Sequence, residues 1–236
     1  MLTRRKVFLY KTESAKGTDA VPAVSADLIL PNGDPNIAIP TDQDSGEGDV
    51  KGTFGPGDSV TLKQGMSIEI GTRVRGLGQG AAALLTPAIH AALLASGHTV
   101  TTAGDGTTVA RSAEYKPSSV EANLKSATGY FYEDGLLYKL LGAVNGLSFE
   151  AAMNALMCKF TPQSKYTVPT VVALPAWAAP TQNFFRMTSA LMAITEAGVT
   201  ANIGAFNFDT GTKVEEAYET GQHYFEVADR NPILTI

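Results

Sequence analysis

The stretch Val60-Thr61-Leu62-Lys63-Gln64-Gly65-Met66-Ser67-Ile68-Glu69-Ile70-Gly71-Thr72-Arg73-Val74 decides the fold class. Val60, Leu62, Met66, Ile68, Ile70 and Val74 fall on even positions, while Thr61, Lys63, Ser67, Glu69 and Arg73 fall on odd ones. A period of two is that of a strand, whose side chains alternate between faces. One dry and one wet face place it in an antiparallel sheet, and its length is about twice the ~5–6 residues of an ordinary strand. Gln64-Gly65 is the expected position of a bulge.

Residues 129–141 read as a hairpin: Tyr130, Phe131, Tyr132 and Glu133, then Asp134-Gly135 as the turn, then Leu136, Leu137, Tyr138 and Leu140. Asp-Gly favours a two-residue type I′ loop. That loop sets Tyr132 opposite Leu137 and Phe131 opposite Tyr138, so both faces are apolar and both are expected to be buried. After Gly142, Asn145 and Gly146 the chain continues through residues 147–151, turns near Asn154, and alternates again at Leu156, Cys158 and Phe160. Further strands are expected over residues 184–194, 199–208 (with Ile203 and Phe206 near the middle), 213–218 and 223–227. A single helix is expected, with Thr86 as N-cap, Pro87 in the first helical position, Ile89, Ala92 and Leu93 as its apolar stripe, and Gly97 just past its end. Many strands with one short helix give an all-β fold, a sandwich or barrel of antiparallel sheets, as a single domain over residues 1–236.

Composition narrows the function. Of 236 residues 44% are hydrophobic, enough for a real core, and only 17% are charged, well below the ~25% of an ordinary soluble domain. So much neutral surface points to surface hidden by other subunits. The net charge of −5 gives no electrostatic grip on nucleic acid. Cys158 is the only cysteine, which excludes an internal disulfide, and its alternating context places it in the core. A reducing cytoplasm is the expected place of synthesis. The apolar run behind the basic N-terminus, Val7 to Leu9, is too short for a signal peptide. The longest apolar stretch, 81–95, is interrupted by Thr86, Pro87 and His90, so no membrane span is expected.

Charge is unevenly spread. Residues 1–16 carry Arg4, Arg5, Lys6, Lys11 and Lys16 against Glu13, whereas 27–58 and 196–230 are strongly acidic. Two stretches lack a regular pattern, 31–57 and 162–181, and loops of such length are usually functional or ordered by a partner. The second carries Val171, Val172, Leu174 and Trp177, too apolar to lie bare, with a neighbouring subunit as the simplest cover. The acidic first loop and the basic N-terminus have complementary charge for docking between neighbours, through Arg4, Arg5 and Lys6 with Asp42, Asp44, Glu47 and Asp49.

Chemical motifs are thin. Residues 42–49 resemble a calcium loop but have Gly46 where a ligand is needed and no Glu at position twelve. Gly76-Leu77-Gly78-Gln79-Gly80 lacks the frame and the lysine of a phosphate loop. His90, His98 and His223 read as structural or surface residues, and no triad or carboxylate pair stands out. No catalytic residue, cofactor or metal is expected.

Several segments, in order along the chain, resemble the tail tube (major tail) proteins of long-tailed bacteriophages. They are Lys11-Thr12-Glu13-Ser14-Ala15-Lys16-Gly17-Thr18-Asp19 with Pro22 and residues 27–30; the single helix after a long amphipathic strand; Ser126-Ala127-Thr128-Gly129-Tyr130-Phe131-Tyr132-Glu133-Asp134-Gly135 with Lys139, Leu140, Gly142-Ala143 and Leu147-Ser148-Phe149; Phe206-Asn207-Phe208-Asp209-Thr210-Gly211; and Asp229-Arg230-Asn231-Pro232. The resemblance implies a non-catalytic virion protein, assembled in the host cytoplasm into hexameric rings stacked as a tube. It implies tape-measure, tail-terminator and tail-tip proteins as partners, and DNA passing through the lumen without specific binding. A lumen of small polar and acidic side chains follows, since a basic wall would hold DNA. Thr61, Ser67 and Glu69 are candidates, although Lys63, Arg73 and Arg75 share their parity; Glu215, Glu216 and Glu219 with Glu226 are the alternative source. A different reading is a small β-sandwich binding module for carbohydrate, which would use exposed aromatics such as Trp177, the only tryptophan.

Overall fold

The computed structural model describes residues 6–44, 60–76, 86–104, 112–152, 155–177, 193–196, 199–202, 205–219 and 222–235. In chain order the elements are β1 (Lys6–Thr12), β2 (Leu28–Ile29), β3 (Asn36–Ala38), β4 (Thr41–Asp44), β5 (Val60–Arg73), α1 (His90–Ala95), β6 (His98–Ala103), β7 (Ser112–Pro117), β8 (Ala127–Glu133), β9 (Leu136–Ala152), β10 (Ala155–Lys165), β11 (Thr170–Val171), β12 (Ala193–Glu196), β13 (Val199–Asn202), β14 (Phe206–Asp209), β15 (Thr212–Glu219), β16 (Gln222–Arg230) and β17 (Ile233–Thr235). Among the described residues the fold is all-β with one short α-helix. A single antiparallel sheet runs β2-β1-β8-β9-β10-β5-β3, with β4 added to β5, β11 and β14 to β9, and β17 to β14. β6–β7, β12–β13 and β15–β16 are separate two-stranded ribbons.

β9 is the joint of the sheet. Its first half pairs with β8 and its second half with β10, while β11 and β14 pair with its two ends. The ladder to β8 slips between Ala127 and Gly129. Opposite this slip Gly142 has φ +65°, and a Cβ there would press on the Gly17 backbone at 3.4 Å. What reads as two strands, before and after Gly142 and Gly146, is therefore one 17-residue strand that bends without breaking. The 134–135 turn has positive φ at both residues, as type I′ requires, and Tyr132 faces Leu137 and Phe131 faces Tyr138 as the turn dictates.

Both faces of the β1-β8-β9 half are buried. Phe8, Tyr10, Phe131 and Leu140 point into the main core with Met66, Ile68, Ile70, Leu147, Cys158 and Phe160. Val7, Leu9, Tyr130, Tyr132 and Leu137 form a second cluster on the other face, covered by Val24, Leu28 and Leu174. α1 plugs the main core with Ala91, Ala92, Leu93 and Ala95. Buried Asn145 ties it there, accepting from Tyr10 Oη at 3.1 Å and donating to Ala92 O at 3.0 Å. Desolvation pushes the Cys158 thiol up to about 12, so it is an inert core residue.

Several expectations need correction. α1 starts at His90, its N-cap is Ile89 without a side-chain hydrogen bond, and Thr86 and Pro87 precede it in turn structure. Its C-terminal end follows the expectation: Gly97 has φ +79°, and the Arg230 guanidinium packs on it, donating to the carbonyls of Ser96 and Gly97. The irregularity in β5 lies at Leu62, skipped between the pairs Gln43–Thr61 and Asp42–Lys63, rather than at Gln64-Gly65. Leu62 is consequently 54% exposed while Met66, Ile68 and Ile70 are buried. The loops 31–57 and 162–181 are not patternless: β3 and β4 lie in the first, the end of β10 and all of β11 in the second. Residues 199–208 form two strands, β13 and β14, and of 184–194 only the start of β12 is among the described residues. Most of the calcium-like and glycine-rich stretches lies outside them.

Candidate functional site

Alternation along paired strands sorts the second half of the sheet into two surfaces, because directly opposite residues share a face. The odd residues of β5 and their partners make the outer one. Ser67 pairs with Ala38 and Gln163, Glu69 with Asn36, Gly71 with Lys159, and Arg73 with Met157. The rows continue from Lys159 to Ser148 and from Met157 to Glu150, then from Ser148 to Asp209 and from Glu150 to Asn207. These side chains are exposed or half-buried, whereas the even rows opposite are core. The outer face is thus a continuous wall of mostly short polar side chains over β5-β10-β9-β14, extended by the short β3 at one edge and by the short β17, with exposed Ile233, at the other. Its charges are Glu69, Glu150 and Asp209 against Arg73 and Lys159, with Lys159 Nζ 2.6 Å from Glu150 Oε2.

One end of the wall is covered. The β15–β16 ribbon crosses it, so that a Cβ on Gly146 would lie 3.3 Å from Thr212 O and one on Gly65 3.3 Å from Phe225 Cζ. Lys63 meets Glu216 of this ribbon at 3.0 Å, a partner within its own chain rather than in a neighbour. Glu216 also contacts His223 Nε2 at 2.6 Å. Burial raises the Glu216 carboxyl, but the hydrogen bonds from Lys63 and His223 outweigh it and hold the group below its ordinary value. His223, isolated in the sequence, is a working member of this cluster.

The candidate lumen residues are therefore divided. Ser67 and Glu69 share the odd face of β5, whereas the skip at Leu62 sets Thr61, opposite Gln43, on the other face from Lys63, opposite Asp42, and takes it off that surface. Glu215 and Glu216 are neighbours in one strand and point to opposite faces, so they cannot line one surface together; Glu215 lies opposite Glu226 and Glu216 opposite Phe225. The Glu219 side chain lies outside the described residues. Lys159, Thr161, Gln163, Ser148, Glu150, Asn207 and Asp209 were not among the sequence candidates, although the polar positions between Cys158, Phe160 and between Phe206, Phe208 carry the same signal.

Among the docking candidates, Lys6 is committed inside its own chain, with Glu133 at 2.7 Å and Asp34 as its second partner, and is withdrawn from that role. Asp42 is exposed on β4, Asp44 ends that strand, and Arg4, Arg5, Glu47 and Asp49 lie outside the described residues. In the strap that follows β10, β11 hydrogen-bonds to β9 and Val172 N donates to Gly135 O. Val171 is 87% exposed and Val172 and Trp177 are partly so, whereas Leu174 turns inward onto the second cluster.

The N-terminal segment is held by two carboxylates. Glu13, 5% exposed, accepts from Gly17 N, Gly142 N, Ser126 Oγ and Thr128 Oγ1 at 2.6–2.8 Å. Asp19 accepts from Tyr130 Oη, Val21 N and Lys139 Nζ. Segments 11–19, 126–135 and 139–143 thus meet at one place, and Gly211 and Asn231 meet at another, where Asn231 N donates to Gly211 O. The family model described as phage tail tube protein matches residues 3–232. The chain belongs to the phage tail tube protein family.

No curated protein matches it significantly. As a tail tube protein it is a structural part of the virion's tail that assembles with copies of itself into a tube. The motif residues of segments 11–19, 126–135 and 139–143 lock the N-terminal segment across β8 and β9, whereas segment 206–211 supplies β14 of the wall. Among the described residues no group of three or more His, Cys, Asp or Glu is placed to hold a metal ion, and no helix is long and apolar enough to cross a membrane.

Proposed function

We propose that this tail tube protein forms hexameric rings, stacked into a channel for DNA delivery, with the uncovered part of the polar wall facing the lumen. The observation that carries the reading is the wall itself: one face is core, and the other, beyond the part the ribbon covers, is polar, nearly neutral and open. With β5, β10, β9 and β14 as the channel strands of each subunit, six subunits give ~24 strands; at ~4.8 Å spacing and ~40° tilt the circumference is ~150 Å and the diameter ~48 Å, leaving ~40 Å inside the side chains. A duplex roughly 20 Å across passes freely.

Ser67 and Glu69 keep their place as lining, now with Thr161, Gln163, Ser148, Glu150 and Asn207, whereas Thr61 and Glu216 leave it. Val171, Val172 and Trp177 pack against the adjacent subunit of the ring. Ring-to-ring docking uses the acidic arm that begins at Asp42 and Asp44, with Glu47 and Asp49, against Arg4 and Arg5 of the next ring. Tape-measure, terminator and tip proteins meet the assembled tube.

Electron microscopy of the purified protein tests the assembly: stacked sixfold rings with β5, β10, β9 and β14 around the channel are expected. A persistent monomer would favour the ligand-binding module instead. Deleting residues 41–50 tests the docking arm, with rings expected that stack poorly; tubes of unchanged length would remove that assignment.

A further inference from the structure

β4 and the start of β5 extend beyond the end of β10, and the β15–β16 ribbon runs alongside them. Among the described residues the ribbon makes no ladder with the main sheet, and an isolated two-stranded ribbon is marginal by itself. Its root is anchored to the body, with Arg230 on the Ser96 and Gly97 carbonyls and Thr210 N on Leu147 O, and its outer part is held by side-chain contact with the β4–β5 arm. Phe225, buried, seats over Gly65, whose missing Cβ leaves the room, and Pro40 closes the seat while its carbonyl accepts from Gly65 N at 3.0 Å. His223 packs its ring on Phe225 at 5.4 Å between centroids. Glu216 stands between the two elements, one oxygen on His223 and the other on Lys63, with Asp42 of β4 at 4.0 Å from the same Lys63.

We propose that the two hairpins form one rigid arm, in which β15–β16 braces β4–β5 and Glu216 is the positioning residue that sets the angle at which the arm leaves the ring. The inference rests on the reading of residues 41–50 as the ring-to-ring contact. A strand pair projecting from a sheet swings about its last ladder bonds, and a second ribbon cross-linked to it near its root removes that freedom. The contribution lies in direction more than in strength, since partly exposed ion pairs stabilise little.

The test separates docking of the ribbon from stacking of the rings. In unassembled protein, amide hydrogen exchange over residues 212–230 reports whether the brace is seated; in assembled protein, electron microscopy reports tube length. Lys63→Met and Glu216→Ala are expected to speed exchange in the ribbon about ten-fold with the core amides unchanged, and to give short tubes or free rings. Lys63→Arg, which keeps charge and reach, is expected to match wild type in both. Unchanged exchange in Glu216→Ala overturns the brace. Faster exchange with tubes of normal length overturns its role in stacking, as does Lys63→Arg behaving like Lys63→Met. Glu47→Gln with Asp49→Asn reads the docking assignment independently, with poor stacking expected, because it leaves β4, Lys63, Glu216 and His223 in place.

Discussion

Glu13 is a carboxylate held almost out of water by four neutral donors, two backbone and two side-chain. Glu13→Ala strands the Ser126 and Thr128 hydroxyls and the Gly142 amide in the interior; at ~1–3 kcal/mol for each buried donor left unpaired, with some relaxation, the cost is about 3–4 kcal/mol. For a chain of this size the melting temperature should fall by roughly 10 °C; calorimetry checks it, and a loss under about 2 °C would show that the site refills. Asp19 makes a pH-dependent contribution. Burial raises its carboxyl, but the hydrogen bonds from Tyr130, Val21 N–H and Lys139 outweigh that and hold it below the usual 3.8. A carboxyl depressed in the folded state stabilises fully above its unfolded value and loses this as pH falls through the folded one. The urea midpoint should therefore decline below pH ~4, and Asp19→Asn should flatten part of that decline. An identical profile in the variant would remove Asp19 from the acid response.

The strap over the second cluster divides its residues by direction, which the sequence could not do. Val171, Val172, Leu174 and Trp177 read as one apolar set because composition does not say which side chain the strap after β11 turns inward. Leu174→Ala should cost the unassembled protein about 1–2 kcal/mol, a fraction of a full core truncation, whereas Val171→Ser should leave its urea midpoint unchanged and impair ring formation. Equal effects on the midpoint would mean that both residues are internal. Elsewhere local rules sufficed. The Asp134-Gly135 turn fixed its own register, and β5 declared its faces from Met66 onward. They failed where a distant element intervened: α1 lacks the expected Thr86 cap, while its C-terminal end is completed by Arg230 from β16. Gly97→Ala should be severely destabilising, by about 2 kcal/mol or more, because it combines a left-handed φ with a Cβ driven into the Arg230 guanidinium; a melt like that of wild type would show the guanidinium moves aside.

At the scale of the molecule, the tail tube family was legible from the order of its segments, while the wall was not. Its residues come from β5, β10, β9 and β14, distant in sequence, and only the pairing register brings their odd and even positions onto one surface. The near balance of charge there has a measurable consequence. Tubes of the wild-type protein should not retain duplex DNA even at low salt, whereas tubes of a Ser67→Lys, Thr161→Lys variant should, with retention falling steeply as salt rises. Retention by wild-type tubes, or none by the variant, would move the wall off the channel. The long β9 carries a mechanical meaning as well. At ~3.3 Å per residue its 17 residues span about 56 Å, hydrogen-bonded to β8, β10, β11 and β14 in turn. A load along β9 strains these ladders in shear, many bonds at once, whereas a load across it peels them singly. Each subunit is therefore stiff in one direction and yielding in the other, like wood along and across its grain, and a tube of such subunits inherits that grain.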